Sequence, residues 1–379
     1  MQTYTLNNAL AQLASLEGGA GVSEYHLMIQ ATDREATFKT QLKAVTDGYE
    51  QLRREQLAGA VAVMKRYFLS DAANQADRVQ ALAAEGAECA LSVVEQPPLG
   101  GTKVALWVYL QTDMQSRMLP GGLFEAKHGA YRHLWGGGAC NRAANSEYQT
   151  RLLLGEYVMQ LAQQGCRLAD HCLRTWLFVQ NVDVNYAGVV KARNELFVTQ
   201  GLTPQTHFIA STGIGGRHAD PKVTVQLDTY AVAGLLPQQI RYLYAREWMN
   251  PTYEYGVSFE RGTAVEYGDR RHVFISGTAS INNKGEVLHP GDIRLQTRRM
   301  WQNVEALLQE AGCGYDDVQQ MLVYLRDGAD YLVVKRLFDE WFPHTPKLFV
   351  QAPVCRPAWL VEMECMAIKR VEQPAYAPL

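Results

Sequence analysis

Cysteine is sparse and unpatterned in this chain. Seven cysteines occur among 379 residues, with no CxxC pair and no cysteine at zinc spacing from a histidine. Most lie inside apolar runs, as Cys166, Cys172 and Cys365 do. That argues against a disulfide framework and against a metal site, and predicts buried, reduced thiols in a cytoplasmic protein. Basic charge is not in excess either. Thirty-six Lys and Arg face 39 Asp and Glu, a formal net charge of −3. A nucleic-acid partner would want a basic face, and none is expected. No apolar run approaches the ~18 residues of a membrane span. The opening MQTYTLNNALAQ has neither the basic start nor the apolar stretch of a leader. The phosphate-loop pattern GxxxxGK[ST] is also missing. No metal, cofactor or membrane contact is therefore expected.

What is present is an ordinary globular composition, 47% hydrophobic and 20% charged, long enough for two or three domains. Element order repeats along it. Near the C-terminus, HVFISGTASINNKGEVLHPGD reads as two short strands and IRLQTRRMWQNVEALLQEAG as a helix with Met300, Val304, Leu307 and Leu308 at helical spacing. DVQQMLVYLRD reads as a strand, YLVVKRLFDEWF as a second helix, and KLFVQAPV and AWLVEMECMAI as closing strands. The order β-β-α-β-α-β-β recurs in the middle of the chain and, in pattern, at its start. VMKRYFLSD, LRTWLFVQN and QQMLVYLRD line up as the three internal strands. An α+β fold of three tandem modules follows, with expected extents of 1–120, 121–236 and 237–379. Breaks at MLPGG, within Asp113–Lys127, and at LLPQQ, within Ala233–Gln238, mark the joints. Packing three sheets about a pseudo-threefold axis would cover the second face of each, so an intrachain pseudo-trimer and a monomer are expected.

The closing stretch Lys347–Lys369 carries the chemistry-bearing residues. Glu362 and Glu364 share one face of the last strand. Between Leu360, Val361 and Met363, Glu362 in a dry cleft would stay protonated near neutral pH and could act as an acid; the plain alternative is an outward Glu on a half-exposed strand. Arg356 could grip a carboxylate bidentately, although a corner Arg is more often solvated. Cys355 has no nearby His in sequence and reads as a wall residue. STGIGG, with Ser211, Thr212, Gly213 and Gly215, is a turn whose N–H groups could cradle an anion, with Arg217 following. Arg326 ends an internal strand beside an expected intermodule cleft. Trp176 belongs to core or to a pocket wall. Only the third module ends in a strand with paired carboxylates, so one competent cleft is expected, where modules two and three meet.

These segments resemble the Rid (YjgF, endoribonuclease L-PSP) superfamily. The resemblance rests on ISGTAS, on LQTRRMWQNVEALLQEAG, on VYLRD and on the ending VEMECMAIK. It implies chorismate-mutase-like modules with sites in the clefts between neighbours, and imino-acid hydrolysis with an Arg on the first closing strand and a Glu on the last. The matching residues are Lys347 and Glu362. An ammonium lacks the guanidinium fork, which counts against imine deamination. The chain also resembles the chorismatase branch through RTWLFVQNV from Arg174, YAGVVKARNELF, STGIGG, and VCRPAWLVEME from Val354 to Glu364. Leu177-Phe178 and Ala192-Arg193 depart from that branch's Asn-Tyr and Gly-Arg. The resemblance implies that Glu362 protonates an enol ether, with Cys355 in the pocket; Arg356, Lys347, Arg326, Arg217, Trp176 and the Ser211–Gly215 turn are the residues expected around a small carboxylated substrate. The other readings are a Rid-type imine or enamine deaminase and a non-catalytic carboxylate-binding protein.

Overall fold

Each apolar alternation in the sequence becomes a strand, and the strands gather into three sheets of one design. The computed structural model describes residues 1–17, 21–86 and 89–379. The first unit contains β1 (Gln2–Leu6), β2 (Ala9–Leu16), β3 (Glu24–Ala31), α1 (Phe38–Glu55), β4 (Val61–Leu69), α2 (Ala72–Glu85), β5 (Ala90–Glu95) and β6 (Val104–Gln111). The second contains β7 (Gln115–Met118), β8 (Phe124–His128), β9 (Tyr131–Cys140), α3 (Ser146–Gln163), the one-turn α4 (Leu168–His171), β10 (Cys172–Val179), α5 (Val182–Thr199), β11 (Ala210–Gly215) and β12 (Val225–Ala233). The third contains β13 (Ile240–Leu243), β14 (Gly262–Glu266), β15 (Arg270–Ala279), α6 (Ile293–Glu310), β16 (Val318–Leu325), α7 (Tyr331–Trp341), β17 (Lys347–Gln351) and β18 (Val361–Arg370).

The sheet orders are β1-β2-β3-β6-β4-β5, β7-β8-β9-β12-β10-β11 and β13-β14-β15-β18-β16-β17. All three have the same topology. In each, among the described residues, the one parallel strand pair joins the two strands linked by the second helix: β4 with β5, β10 with β11, β16 with β17. The α+β class and the three modules expected from the repeat are what the chain adopts. In each module two strands precede the first one that the sequence pattern indicated, so three strands stand before the first helix. β1, β7 and β13 are edge strands of four or five residues, too short to show an apolar alternation. MLPGG forms the tip between β7 and β8, inside the second sheet. The loop expected at Asn283-Lys284-Gly285 forms, but the second short strand expected after it does not, and a single bridge, Ile281 to Val287, stands in its place. There the Asn282 side chain accepts from the Lys284 and Glu286 N–H groups and curls the chain.

Helices start where side chains can cap them. Thr37, Asn145 and Asp292 accept from the N–H groups of Thr40, Tyr148 and Leu295. One face of each sheet takes helices, and the other needs a partner. The modules supply it to one another head to tail. β5 packs on β9 and β11 on β15, while the third module meets the first through β16 against β2 and β3. Single bridges pin the seams at Glu95–Arg217, Ala210–Glu260 and Pro98–Val350. Among the described residues no helix is long and apolar enough to cross a membrane.

The last strands of the three modules meet at the centre. A bulge interrupts the equivalent pairings between Ala62 and Met64, Cys172 and Arg174, and Val318 and Gln320. Counting from it, Trp107, Asp228 and Glu364 occupy one position, opposite Arg66, Trp176 and Leu322. Arg66 donates to Asp228 Oδ2 through Nη2 at 2.8 Å and Nε at 3.1 Å. Arg174 donates to Glu364 Oε2 at 2.8 Å. All four side chains are buried. Replacing Asp228 by Ala should therefore cost about 3–5 kcal/mol, because it strands the Arg66 guanidinium in the core. Breaking the exposed Lys43–Asp47 pair with Asp47→Ala should cost less than about 1 kcal/mol. Urea unfolding of the two variants side by side checks the contrast, and equal losses would refute the central role.

Candidate active site

The seam between the second and third modules encloses a cavity of about 520 Å³, counted to its mouth. α5 contributes Tyr186 and Arg193, and β11 contributes Ser211 and Gly213. The third module contributes Gly277 and Ala279 from β15, Glu362 from β18, and Cys355, Arg356 and Trp359 from the corner between β17 and β18. The long connection before β14 closes one side with Tyr255, Val257, Phe259 and Arg261.

Glu362 sits opposite Ala279 on β15 and Tyr324 on β16 and is 4% exposed. Burial, reinforced by the like charge of Glu364, pushes its carboxyl up to about 8 against the opposing pull of Arg174 and Arg261. It is a neutral acid at pH 7. Gly277 makes its position possible, because a Cβ there would fall inside contact distance of Glu362 Oε1. Gly277 is itself fixed by its N–H, which donates to Thr212 Oγ1 at 2.9 Å.

The cations around this acid are built in. Arg193 is 1% exposed, and its Nε and Nη2 have no partner among the described residues. Arg261 is 4% exposed. Its Nη2 donates to the Asn250 carbonyl at 3.0 Å, and its Nε has no partner among the described residues. Arg356 lies between the Tyr255 and Trp359 rings, 4.7 and 5.1 Å from their centroids. Buried guanidinium N–H groups with no acceptor are costly. An anionic ligand would relieve them. Cys355 is pushed up to about 12, by burial first and then by Glu362, so it is a thiol at neutral pH.

Of the residues singled out from the sequence, Glu362, Arg356, Cys355, Ser211 and Gly213 line this cavity together. Thr212 and Trp176 stand behind the wall. Thr212 accepts from Arg174 and Gly277, while Trp176 Nε1 donates to Glu364 Oε1 at 2.8 Å. Gly215 lies farther along β11, its N–H donating to the Pro353 carbonyl at 2.9 Å. Three cations lie elsewhere. Arg217 pairs with Glu95 on the seam between modules one and two. Arg326 pairs with Asp183 at a strand end. Lys347 lies in the cleft between modules three and one, its Nζ donating to the Phe342 carbonyl at 2.8 Å and 3.7 Å from Asp339. The head-to-tail ring is the reason: the first closing strand of a module faces the next module, so Ser211, not Lys347, lies opposite Glu362. Arg261 and Tyr255 were missed because they sit about a hundred residues before Glu362 in a stretch without periodicity. Arg193 was visible only as part of the Ala192-Arg193 departure.

The other two clefts differ in kind. Glu362 is matched by Gln226 in module two and Ala105 in module one. Between modules one and two, Gly137 lies against the backbone of Leu91 so closely that a Cβ would clash, and the seam is shut. Between three and one, the cleft is open but has no acid at that position, and Asp339 partly neutralises Lys347.

Comparison with known proteins follows this division. The family model described as endoribonuclease L-PSP matches residues 262–369. Over 108 residues the chain is 33% identical to a RutC family protein of Pyrococcus abyssi, covering 28% of this chain and 84% of that protein. It is 31% identical over 97 residues to 3-aminoacrylate deaminase RutC of Acinetobacter baylyi, covering 25% and 77%. The crystal structure of a chorismatase shares the fold over 81% of this chain and 92% of its own, with a TM-score of 0.62 at 18% identity.

The Glu362 carboxyl couples stability to pH. In the unfolded chain it ionises near its ordinary value of 4.5, in the folded protein near 8. Between these values the native state holds the extra proton. Its contribution is full below 4.5 and is lost as pH rises through 8, at about 1.4 kcal/mol per pH unit. Glu362→Gln cannot titrate, so the variant should gain on the wild type between pH 5 and 8. Urea midpoints of both proteins across that range check this, and parallel curves would refute it.

Proposed function

We propose that this chain, which belongs to the endoribonuclease L-PSP family, is a hydrolase of a small carboxylated enol ether of the chorismate kind. One observation carries the reading: a buried, neutral Glu362 faces a cavity whose only charged walls among the described residues are Arg193, Arg261 and Arg356. Two or three arginines with free N–H groups suit a substrate with two carboxylates. An enol ether is cleaved by protonating its terminal carbon, and that step needs an acid still protonated at working pH.

In this reading the arginines hold the substrate carboxylates and aim the methylene carbon at Glu362. Glu362 gives its proton to that carbon, and the double-bond electrons form the new C–H bond. The positive charge falls on the adjacent carbon and is shared by the ether oxygen. Water adds there and returns a proton to the Glu362 carboxylate. The hemiketal then breaks its bond to the ring oxygen, releasing pyruvate and a hydroxylated ring acid. Substrate plus water equals the two products, and Glu362 is restored. Cys355 and Tyr186 serve as wall, since both are held in their protonated forms by burial.

A second reading has one observation in its favour, the relative named 3-aminoacrylate deaminase, 31% identical over 97 residues. A neutral Glu362 could protonate an enamine carbon in the same way, with ammonia leaving after water adds. If neither chemistry occurs, the cavity is that of a non-catalytic carboxylate-binding protein.

Incubation with chorismate should release pyruvate, and Glu362→Gln should lower the rate by about 10²–10⁴-fold. The rate should fall as pH rises past about 8, where the acid ionises. Ammonia from 3-aminoacrylate with no pyruvate from chorismate would transfer the assignment to the deaminase reading. The closed ring of modules satisfies each sheet within one chain, so native mass should correspond to a 42.4 kDa monomer. A mass three times that would contradict the monomer.

A further inference from the structure

Glu362 owes its isolation to a neighbour that never reaches the cavity. Glu364 lies two residues on, on the same face of β18, and both ends of its carboxylate are occupied. Trp176 Nε1 donates to Oε1 and Arg174 Nη2 to Oε2, each at 2.8 Å. Arg174 is one of two cations that pull Glu362 toward ionisation, and hydrogen bonds to other groups occupy its Nη1 and Nη2. Besides Glu364, Nη2 reaches Thr212 Oγ1 at 2.5 Å, and Nη1 reaches the Thr175 carbonyl at 3.3 Å. Thr212 Oγ1 also receives the N–H of Gly277, the residue on which Glu362 is seated. One guanidinium thus holds Glu364 on the axis and, through Thr212, the floor beneath Glu362.

We propose that Glu364 is a positioning residue: by occupying Arg174 it denies Glu362 a cationic partner and keeps it in the acid form. The other charged or titratable groups around Glu362 do not replace it. Arg261 approaches from the segment before β14 and Arg193 from α5. Arg356 and Cys355 lie on the corner, Tyr186 on α5, and Tyr324 on β16. Among the described residues none of them hydrogen-bonds Glu362. The like charge of Glu364 acts in the same direction as the loss of Arg174, since both raise the cost of a second carboxylate. The first module takes part as well, because Arg66 Nη1 lies 4.0 Å from Glu364 Oε1 although that module supplies no residue to the cavity.

The test is direct titration of Glu362 by carboxyl ¹³C NMR on glutamate-labelled protein, with Glu362→Gln assigning the signal. Glu364→Gln frees Arg174 and removes the like charge, so the Glu362 midpoint should fall by about one pH unit or more. Glu364→Asp keeps the charge and should leave the midpoint within about 0.5 unit of the wild type. If Glu364→Gln does not fold, the double variant Arg174→Gln/Glu364→Gln leaves no stranded charge, and its midpoint should also fall, by less. An unmoved midpoint in whichever of the two folds overturns the proposal, as does an equal shift in Glu364→Asp. The proposal rests on the reading of Glu362 as the acid, but titration needs no turnover. A wild type that releases no pyruvate would sink that reading and leave this result standing. Where turnover is measured, the alkaline limb of the rate profile should move with the midpoint in Glu364→Gln, which loss of packing alone would not produce.

Discussion

The buried charge layer at the centre of the ring is the constraint on which the rest depends. Three sheets cover one another here by bringing their last strands together, and the charged side chains between them are buried. Arg66, Asp228, Arg174 and Glu364 are all taken out of solvent there, at a desolvation cost of several kcal/mol for each ion. Pairing and hydrogen bonding offset that cost only in one arrangement. Asp228 accepts Arg66 through one oxygen and the Gly138 N–H through the other. Trp107, Trp176 and Phe178 surround the Arg66 guanidinium with ring faces. A slip of one residue in any last strand would turn these groups to the helix-covered face. The layer therefore fixes register across three modules at once, which a purely apolar interior would do less sharply.

Fixing register also fixes which seam encloses a cavity with a buried acid. The bulge on β15 leaves Gly277 opposite the neighbouring β11, where its missing side chain gives Glu362 room. The corresponding bulge on β9 carries Gly137 and Gly138, and there the space is filled by the backbone of β5. The same local device, a glycine at a bulge, opens one seam and closes another. The difference is what approaches it: an acid side chain in one case, a neighbouring strand in the other. Arg193 and Arg261 then supply charge from opposite walls, and no acidic side chain in the cavity wall other than Glu362 offsets it.

Much of this was legible in the sequence because it is local. A strand–helix–strand–helix–strand order leaves a period that survives heavy divergence, and the three internal strands aligned by eye. Glu362, Arg356 and Cys355 were legible for the same reason, since one corner and one strand hold all three. What was not legible is contact between modules. Lys347 and Glu362 lie fifteen positions apart and look like one site, yet a head-to-tail ring sends them to different clefts. Arg261 comes from an aperiodic connection, and nothing local marks it. The edge strands β1, β7 and β13 are too short to carry a pattern, and their partners exist only once the sheet has formed.

Fusion into one chain is what allows the central layer to exist in this form. In a ring of three identical subunits, any residue on the axis appears three times. Three glutamates at the position of Glu364 would face one another across a few ångströms of low-dielectric interior, and like charges so placed cannot all ionise. A fused chain escapes that rule. It sets Trp107, Asp228 and Glu364 at one level and places Arg66 and Arg174 against the two acids. Charges of opposite sign alternate around the axis where symmetry would have imposed repulsion. The same freedom lets Ala105, Gln226 and Glu362 differ, so the single acid is a consequence of the same broken symmetry that makes the core stable.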